Sequence, residues 1–307
     1  MNIENIKAFM VVVKMGSITR ASQELHISQP ALSSQINHLE KYFKTPLLYR
    51  TAKGVSLTSA GEILYTEGSR LLTLLSNTEK NIDKLKNPEN EHLEIAASST
   101  IGGFVLPALI YNFKENYSQG ELSLAVHNTS KVMEKVINRD VQVGLIEGPV
   151  SKELRKRLKR EGLDLKRLGN DHIVLTAPYQ EPWIDRSSIR ISELMELNLI
   201  LKGDDSGIRA TVEKKFSEKD ISMNDLKVIL EVNDNTSIIS AVSAGKGFSL
   251  LPKMTIKKEL KHKLLKELNI EGMTFPHTFT IVYNPMETSS GLSKEFLAYL
   301  MSGGKNY

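Results

Sequence analysis

Residues 17–43 read SITRASQELHISQPALSSQINHLEKYF, and the order of residue types in this stretch decides the architecture of the N-terminal end. Gly16 can end one helix and Ser17 can cap the next. The segment from about Ile18 to Leu25 suits a short helix, in which small Ala21 and Ser22 allow a neighbour to approach closely. His26-Ile27 forms a turn. Ser28 then caps a further helix, with Pro30 in its first turn, where a missing N–H costs nothing. Leu32, Ile36, Leu39 and Phe43 recur at helical spacing and point inward, while Gln29, Ser33, Ser34, Asn37 and His38 occupy the opposite face. A short helix, a tight turn and a second helix that exposes small and polar side chains at its start meet the needs of a helix-turn-helix entering a major groove. Gln29, Pro30, Ser33, Ser34 and Asn37 are therefore candidate DNA contacts, joined by Ser17 and Arg20 at the start of the preceding helix. Gln can pair bidentately with adenine, whereas Ser is ambiguous.

Working outward, Ile3, Ile6, Phe9, Met10 and Val13 give the first helix one apolar face. After Pro46, the run LLYRTAKGVSLT reads as a hairpin around Lys53-Gly54, from which Arg50 and Lys53 can reach phosphate or the minor groove. Residues 1–60 hold seven Lys and Arg against three Glu, and the rest of the chain balances, so the whole formal excess of +4 sits here. A polyanionic partner for this end is expected.

From Ser59 the period changes. Ser59-Ala-Gly-Glu62 fits a capping box. Leu64, Gly68, Leu71, Leu75, Thr78, Ile82 and Leu85 then alternate by four and three over roughly three heptads. A helix from Ser59 to Lys86 would be about 40 Å long. Its narrow seam predicts pairing with a second copy through Leu64, Leu71, Leu75, Ile82 and Leu85. Asn87 to His92 reads as a polar linker. Beyond it strands and helices alternate: strands at 93–97, 121–127, 141–147, 172–178, 197–202, 227–232, 247–252 and 278–283. Helices are expected from Phe104 to Tyr117, after 127, from Gly207, from Asn235, and from Leu292 to Met301. Repeated βα units predict parallel sheets covered by helices.

Residues 1–65 resemble the DNA-binding domain of LysR-type transcriptional regulators. The resemblance is carried by Phe9, Gly16-Ser17, Ala21, Leu25, Ser28-Gln29-Pro30-Ala31-Leu32-Ser33, Gln35-Ile36, Leu39-Glu40, Pro46-Leu47, Arg50, Leu57-Thr58 and Ala60-Gly61. Ser34 departs from the family's frequent larger basic or polar residue, which bears on base preference. The resemblance implies an α/β multidomain chain: a winged helix-turn-helix (1–58), a linker and dimerisation helix (59–87), and a two-lobed, doubly wound α/β effector-binding domain (88–307). The lobes would be about 93–165 with 269–303, and about 166–268. It also implies a homodimer or homotetramer in the cytoplasm, bound to double-stranded promoter DNA, with RNA polymerase as a further partner. A small-molecule effector would sit at the carboxyl ends of the strands; a small acid or sulfur-containing metabolite is the expectation.

Three strand-to-helix junctions offer effector contacts. Ser98-Ser99-Thr100 and Asn128-Thr129 each follow a strand and open a helix, where hydroxyls and free N–H groups favour an anion. The run Lys202-Gly-Asp-Asp-Ser-Gly-Ile-Arg209 resembles the family's own loop, with Ser206 and Arg209 in place, and Arg209 could clamp a carboxylate. Simple helix capping explains any one of them equally well. Glu147, if it faces the cleft, would oppose a plain anion or bind an amino group. Asn235 and Thr236 form a further cap with a possible cleft role. The run Lys152 to Arg160 is strongly basic and reads as a solvated loop or helix face, the alternative being a surface that touches DNA in an assembly.

Composition removes other classes. The chain has no cysteine, which excludes disulfides, iron–sulfur clusters and thiol catalysis. Its longest N-terminal apolar run, Phe9 to Val13, is too short for a secretory core or a membrane span. Its histidines show no metal-ligand spacing, so no metal or other cofactor is expected. Ser243-Ala-Gly-Lys246 matches a Ser-x-x-Lys pattern without partner motifs. No catalytic constellation supports an enzyme.

Overall fold

The computed structural model describes residues 2–51, 54–86, 91–117 and 120–303. The chain divides into two compact units, Met1–Lys86 and Asn87–Tyr307. In the first, α1 (Ile3–Met15) ends at Gly16 in the left-handed conformation, φ 62°. Helix α2 (Ile18–Glu24) is capped by the Ser17 hydroxyl and α3 (Gln29–Phe43) by that of Ser28. Burying Ile6, Phe9 and Val12 of α1, Ala21 of α2, and Leu32, Ile36 and Leu39 of α3 makes the core. At about 1.5–3 kcal/mol per buried aliphatic or aromatic side chain, this cluster is what holds three short helices together.

Strands β1 (Leu48–Thr51) and β2 (Gly54–Leu57) pair antiparallel. Two contacts pin this wing to the helices. The Glu40 carboxylate accepts the Leu47 N–H at 2.9 Å, and Gly16 O accepts the Val55 N–H at 3.0 Å. Gly54, at φ 130°, lies so near Gly16 that a Cβ would fall 2.5 Å from its carbonyl oxygen, so only glycine fits.

Helix α4 (Ser59–Lys86) spans 28 residues. Its cap is Thr58, one residue earlier than the expected Ser59-to-Glu62 box. The Thr58 hydroxyl accepts the Gly61 N–H and donates to Pro46 O; being buried, it has no water to compete for these bonds. The seam divides: Leu64 packs on the three-helix core, and Leu75 is half-buried. Leu71 and Ile82 are exposed, as are Ile63 and Leu74. The Leu85 side chain lies outside the described residues. Phe43, expected inside, is 40% exposed. It is the last residue of α3, beyond the core, and joins Ile6, Leu47, Ile63, Leu64 and Leu71 around an apolar groove of about 360 Å³.

The second unit begins with β3 (His92–Ser98), flanked in parallel by β4 (Glu121–His127) and β5 (Val143–Glu147). One face is covered by α5 (Ser99–Phe104) and α6 (Leu106–Asn116), the other by α7 (Thr129–Ile137) and α8 (Lys152–Arg160). The chain leaves this sheet along β6 (Asp164–Pro178), which carries it into the next layer. There β7 (Ser188–Ile189), α9 (Ile191–Glu196), β8 (Leu199–Leu201), α10 (Gly207–Ser217), β9 (Val228–Glu231), α11 (Asn235–Ser243), β10 (Ser249–Pro252), α12 (Lys257–Lys261) and β11 (Leu265–Ile270) follow. Helices α10 and α11 cover opposite faces, over separate apolar clusters. Strand β12 (Phe275–Tyr283) returns the chain, and α13 (Gly291–Gly303) packs on the first sheet. The result is two lobes, each doubly wound, joined by two long strands.

Several sequence expectations shift for local reasons. Strands β3, β4 and β5 are parallel, as are β8 and β9, but β6 pairs antiparallel with β10, β11 and β12. Both crossing strands belong to both lobes, so they must run in opposite directions. Strand β6 starts at Asp164 rather than His172, because its first residues pair with β12 over more than a hundred positions of sequence. The helix expected from Phe104 starts at Ser99 and breaks at Val105. Pro107, at the start of α6, lacks the N–H needed to continue α5. Strand β11 and the short β7 and α9 were not anticipated, being too brief or too mixed to show a period.

Candidate functional site

The first unit presents a polar face built on α3. Gln29 and Pro30 open the helix and are exposed, Ser34 and Asn37 are exposed one and two turns on, and Ser33 is half-buried. Ser17 is half-buried and occupied in capping, accepting the Arg20 N–H at 3.4 Å, while the Arg20 side chain is exposed. Thr19 donates to Gln29 Oε1 at 3.5 Å. From the wing, Arg50 donates to Asn37 Oδ1 at 3.2 Å, so the hairpin and α3 offer one continuous surface. Lys53 lies outside the described residues. Tyr49, fully on the outer side of β1 and 60% exposed, adds an aromatic group to the wing that periodicity alone did not single out.

In the second unit, Ser98, Thr100, Glu147, Lys202, Ser206 and Asn235 are all buried where strand ends from the two lobes meet. Lys202 follows β8. Its Nζ donates to Asn233 O at 2.5 Å and to Ser99 Oγ at 3.3 Å. Asn235 donates to Thr100 Oγ1 at 3.2 Å, tying α11 to α5. Its Oδ1 is buried without a hydrogen-bond partner. Asn128 caps α7 through Oδ1 and donates through Nδ2 to Asp205. Thr129 Oγ1 reaches Glu147 O at 3.5 Å.

Behind these groups lies a buried polar chain. Glu147 Oε1 accepts the Thr100 N–H at 3.4 Å, and Oε2 faces His277 Nε2 at 2.9 Å. His277 Nδ1 lies 2.9 Å from Thr211 Oγ1, which donates to Gly207 O at 2.8 Å. The ring thus bridges the carboxylate and the hydroxyl. Burial pushes the Glu147 carboxyl up, but the hydrogen bond and charge of His277, with the Thr100 bond, outweigh it and hold the group below the ordinary carboxylate range. The backbones touch at the same place: a Cβ on Gly207 would lie 1.9 Å from Glu147 O. Burial lowers the Lys202 ammonium, while Glu147, Asp234 and Asp205 work to raise it, and the net direction is down.

These positions reassign some expected roles. Glu147 is turned to His277 and the start of α5, so its carboxylate is engaged by the protein itself. The Arg209 guanidinium is engaged by the protein, joining Glu213 at 2.7 Å and Glu231 at 3.0 Å and donating to Lys202 O at 3.3 Å. Ser206 is the cap of α10, accepting the Ile208 N–H at 3.1 Å. The cap of α11 is Asp234, which accepts the Ser237 N–H at 2.7 Å. That frees Asn235 for the cleft and leaves Thr236 exposed. Lys202, Asp205, Thr211 and His277 were absent from the sequence-derived set. Lys202 had a usable signal, a single cation closing the apolar run LNLIL. His277 had one too, a histidine on the inward phase of the strand TFPHTFTIVY.

Among the described residues no helix is long and apolar enough to cross a membrane, and no group of three or more side chains could hold a metal ion. Comparison with known proteins matches residues 3–62 to the family described as "Bacterial regulatory helix-turn-helix protein, lysR family" and residues 86–304 to "LysR substrate binding domain". A "Probable RuBisCO transcriptional regulator" of Gracilaria tenuistipitata var. liui is 31% identical over 294 residues, 96% of this chain and 94% of that one. The full-length regulator CbnR in complex with its target DNA superposes with a TM-score of 0.68 at 18% identity, covering 99% of both chains. The regulatory domain of CcmR from Synechocystis PCC6803, in complex with 2-PG, gives 0.61 at 24% identity, over 71% of this chain and 99% of that one. A winged helix-turn-helix with a polar recognition face, joined to two α/β lobes with buried polar groups between them, thus carries both family signatures along nearly its whole length, and the chain belongs to the LysR family of transcriptional regulators, which bind DNA and a small-molecule effector and are not enzymes.

Proposed function

We propose that the effector of this regulator is a small acid bearing a hydrogen-bond donor, held by Lys202, Ser99 and Asn235. Lys202 carries the reading. Its ammonium is buried at the meeting of the lobes, and no carboxylate lies within ion-pair distance of it among the described residues. A buried cation without a counter-ion is costly, and an acid would supply that counter-ion. The unpartnered Asn235 Oδ1 would accept from a hydroxyl or amine on the same ligand. Isothermal calorimetry of the full chain against a panel of hydroxy, amino, phosphorylated and sulfur-containing acids tests the idea. Lys202→Met should weaken the binding acid about 10- to 150-fold, the equivalent of 1.5–3 kcal/mol for a charged hydrogen bond. Affinity should also fall as pH rises through the lowered Lys202 pKa, because only the protonated amine attracts an anion. A panel with no binder, or equal affinity in the variant, would sink the assignment.

The oligomer belongs to the same reading. Residues 1–58 act as the DNA-binding head, 59–87 as the dimerising link, and 88–307 as the sensor. Ile63, Leu71, Leu74 and Ile82 expose a row of large apolar side chains along α4, which a second copy of the helix would cover. A dimer places two α3 helices on half-sites one helical turn, or multiples of it, apart. Two dimers make a tetramer. An acid that binds one arrangement of the lobes more tightly shifts the population toward it, and so alters the spacing of the heads and the course of the DNA.

A further inference from the structure

We infer that the outer face of α8 is a second DNA-contacting surface, one that engages phosphates independently of the winged helix-turn-helix. Six of the nine residues of α8, KELRKRLKR, are Lys or Arg. At 100° per residue, Lys152, Arg155, Lys156 and Lys159 fall within one narrow stripe, with Arg160 beside it, and Leu154 and Leu158 lie opposite. The structure realises this division. Leu158 is fully buried in the cluster formed with Met133, Val136 and Val282, Leu154 packs against it, and every Lys and Arg of the helix is exposed.

The stripe is uncompensated. Some cations of this unit pair with carboxylates, as in Lys131–Glu134, Arg186–Glu193 and Lys215–Glu218. Among the described residues no cation of α8 has a carboxylate within 4.0 Å. The helix concentrates this like charge in a unit whose other residues hold 23 Lys and Arg against 28 Asp and Glu. It is held in a fixed geometry, since Ser151 caps the helix through the Leu154 N–H and the leucines anchor it. Lys166 and Arg167 of the following strand are exposed as well, extending the positive surface.

The composition of the stripe selects its partner. Protein interfaces bury an apolar or aromatic centre and are depleted in Lys, whereas the exposed residues of α8 include no apolar side chain. A row of Lys and Arg alone matches a phosphate backbone. Its length from Lys152 to Lys159 is about 10 Å, enough to face about three phosphates of one strand at 3.4 Å of axial rise each. The regulator is already a DNA-binding protein, so the polyanion is at hand.

The test uses the full chain and a DNA fragment of about 200 bp from upstream of its own gene, with affinity measured by fluorescence anisotropy over a salt series. Lys152→Gln, Arg155→Gln, Lys156→Gln and Lys159→Gln are combined in one variant. Lys257→Gln, Lys258→Gln, Lys261→Gln and Lys263→Gln, four exposed cations in and just after α12, make a control with the same loss of charge. Each phosphate contact contributes about 0.9 to the slope of log affinity against log salt. The α8 variant should lower that slope by roughly two to four, while the control leaves it unchanged. Circular dichroism should show both variants folded; because all eight positions are exposed, this condition is readily met, and single Arg155→Gln and Lys159→Gln variants give the same reading in smaller steps. Equal slopes in the α8 variant and the wild type overturn the inference. So does an equal fall in the control, which would reveal only a diffuse field. Loss of transcription with unchanged DNA slopes overturns it too, and assigns α8 to an acidic protein. Failure of the wild-type chain to bind DNA at low salt would instead refute the DNA-binding role of the whole protein.

Discussion

Replacing His277 by leucine should destabilise the second unit by about 3–5 kcal/mol, because it strips a buried carboxylate of its main hydrogen-bonding partner. The ring is fully buried between Glu147 and Thr211. Without it the Glu147 carboxylate stays enclosed, with the Thr100 N–H and Ser98 left beside it. Thr211 loses less, because its hydroxyl still donates to Gly207 O. For a domain of this size, about 2–4 °C is lost per kcal/mol, so the melting temperature should fall by roughly 6–20 °C. Urea titration followed by tryptophan emission suits the measurement, since Trp183 is the chain's single tryptophan and lies in this unit, packed on Phe248. Adding Glu147→Leu to His277→Leu removes the stranded charge and should recover most of the loss, leaving about 1 kcal/mol for the unmet Thr100 N–H. The pH dependence has a definite sign. Glu147 is held below its unfolded value of about 4.3, so the pair's contribution is present above that pH and is lost as pH falls through the depressed folded value. The gap between wild type and His277→Leu should therefore narrow on acidification. A shift under about 1 kcal/mol, or a double variant no more stable than the single one, would refute the account.

Two further outcomes follow from the first unit. Arg50→Ala should lower the salt slope of DNA binding by about one, if the exposed guanidinium meets a phosphate; a fall in affinity at constant slope would show instead that Arg50 serves to position Asn37. Leu71→Asp places a charge on the exposed apolar row of α4 and should weaken self-association at least tenfold in sedimentation equilibrium, and an unchanged dissociation constant would remove Leu71 from the interface.

How much could be read in advance depended on the range of the interactions. The helix-turn-helix was legible almost to the residue: Gly16, Ser17, Ser28 and Pro30 act through hydrogen bonds and torsions within a few positions, and the structure places each at the helix end their chemistry favours. Phe43 escaped because helical phase says which side a residue faces, but not whether a core extends that far. The cap of α4 was misplaced by one residue, since Ser59 and Thr58 offer the same local chemistry and only the carbonyl of Pro46 distinguishes them.

The cleft was legible only in outline. Strand-to-helix junctions at Ser98, Asn128 and Ser206 announce themselves by local hydrogen-bonding chemistry, so the sequence alone determined that polar groups gather at the ends of apolar strands, and that the chain carries a DNA-reading head of a recognisable family. Which groups meet there was decided by tertiary structure. Glu147 and His277 are 130 residues apart, and Lys202 and Ser99 are 103 apart. No periodicity connects such pairs, because they are joined by two long antiparallel strands whose register depends on both lobes. Arg209 meets Glu213 one turn along its own helix, but that Lys202 is the buried cation depends on which side chain is withdrawn from water, and hence on the fold as a whole.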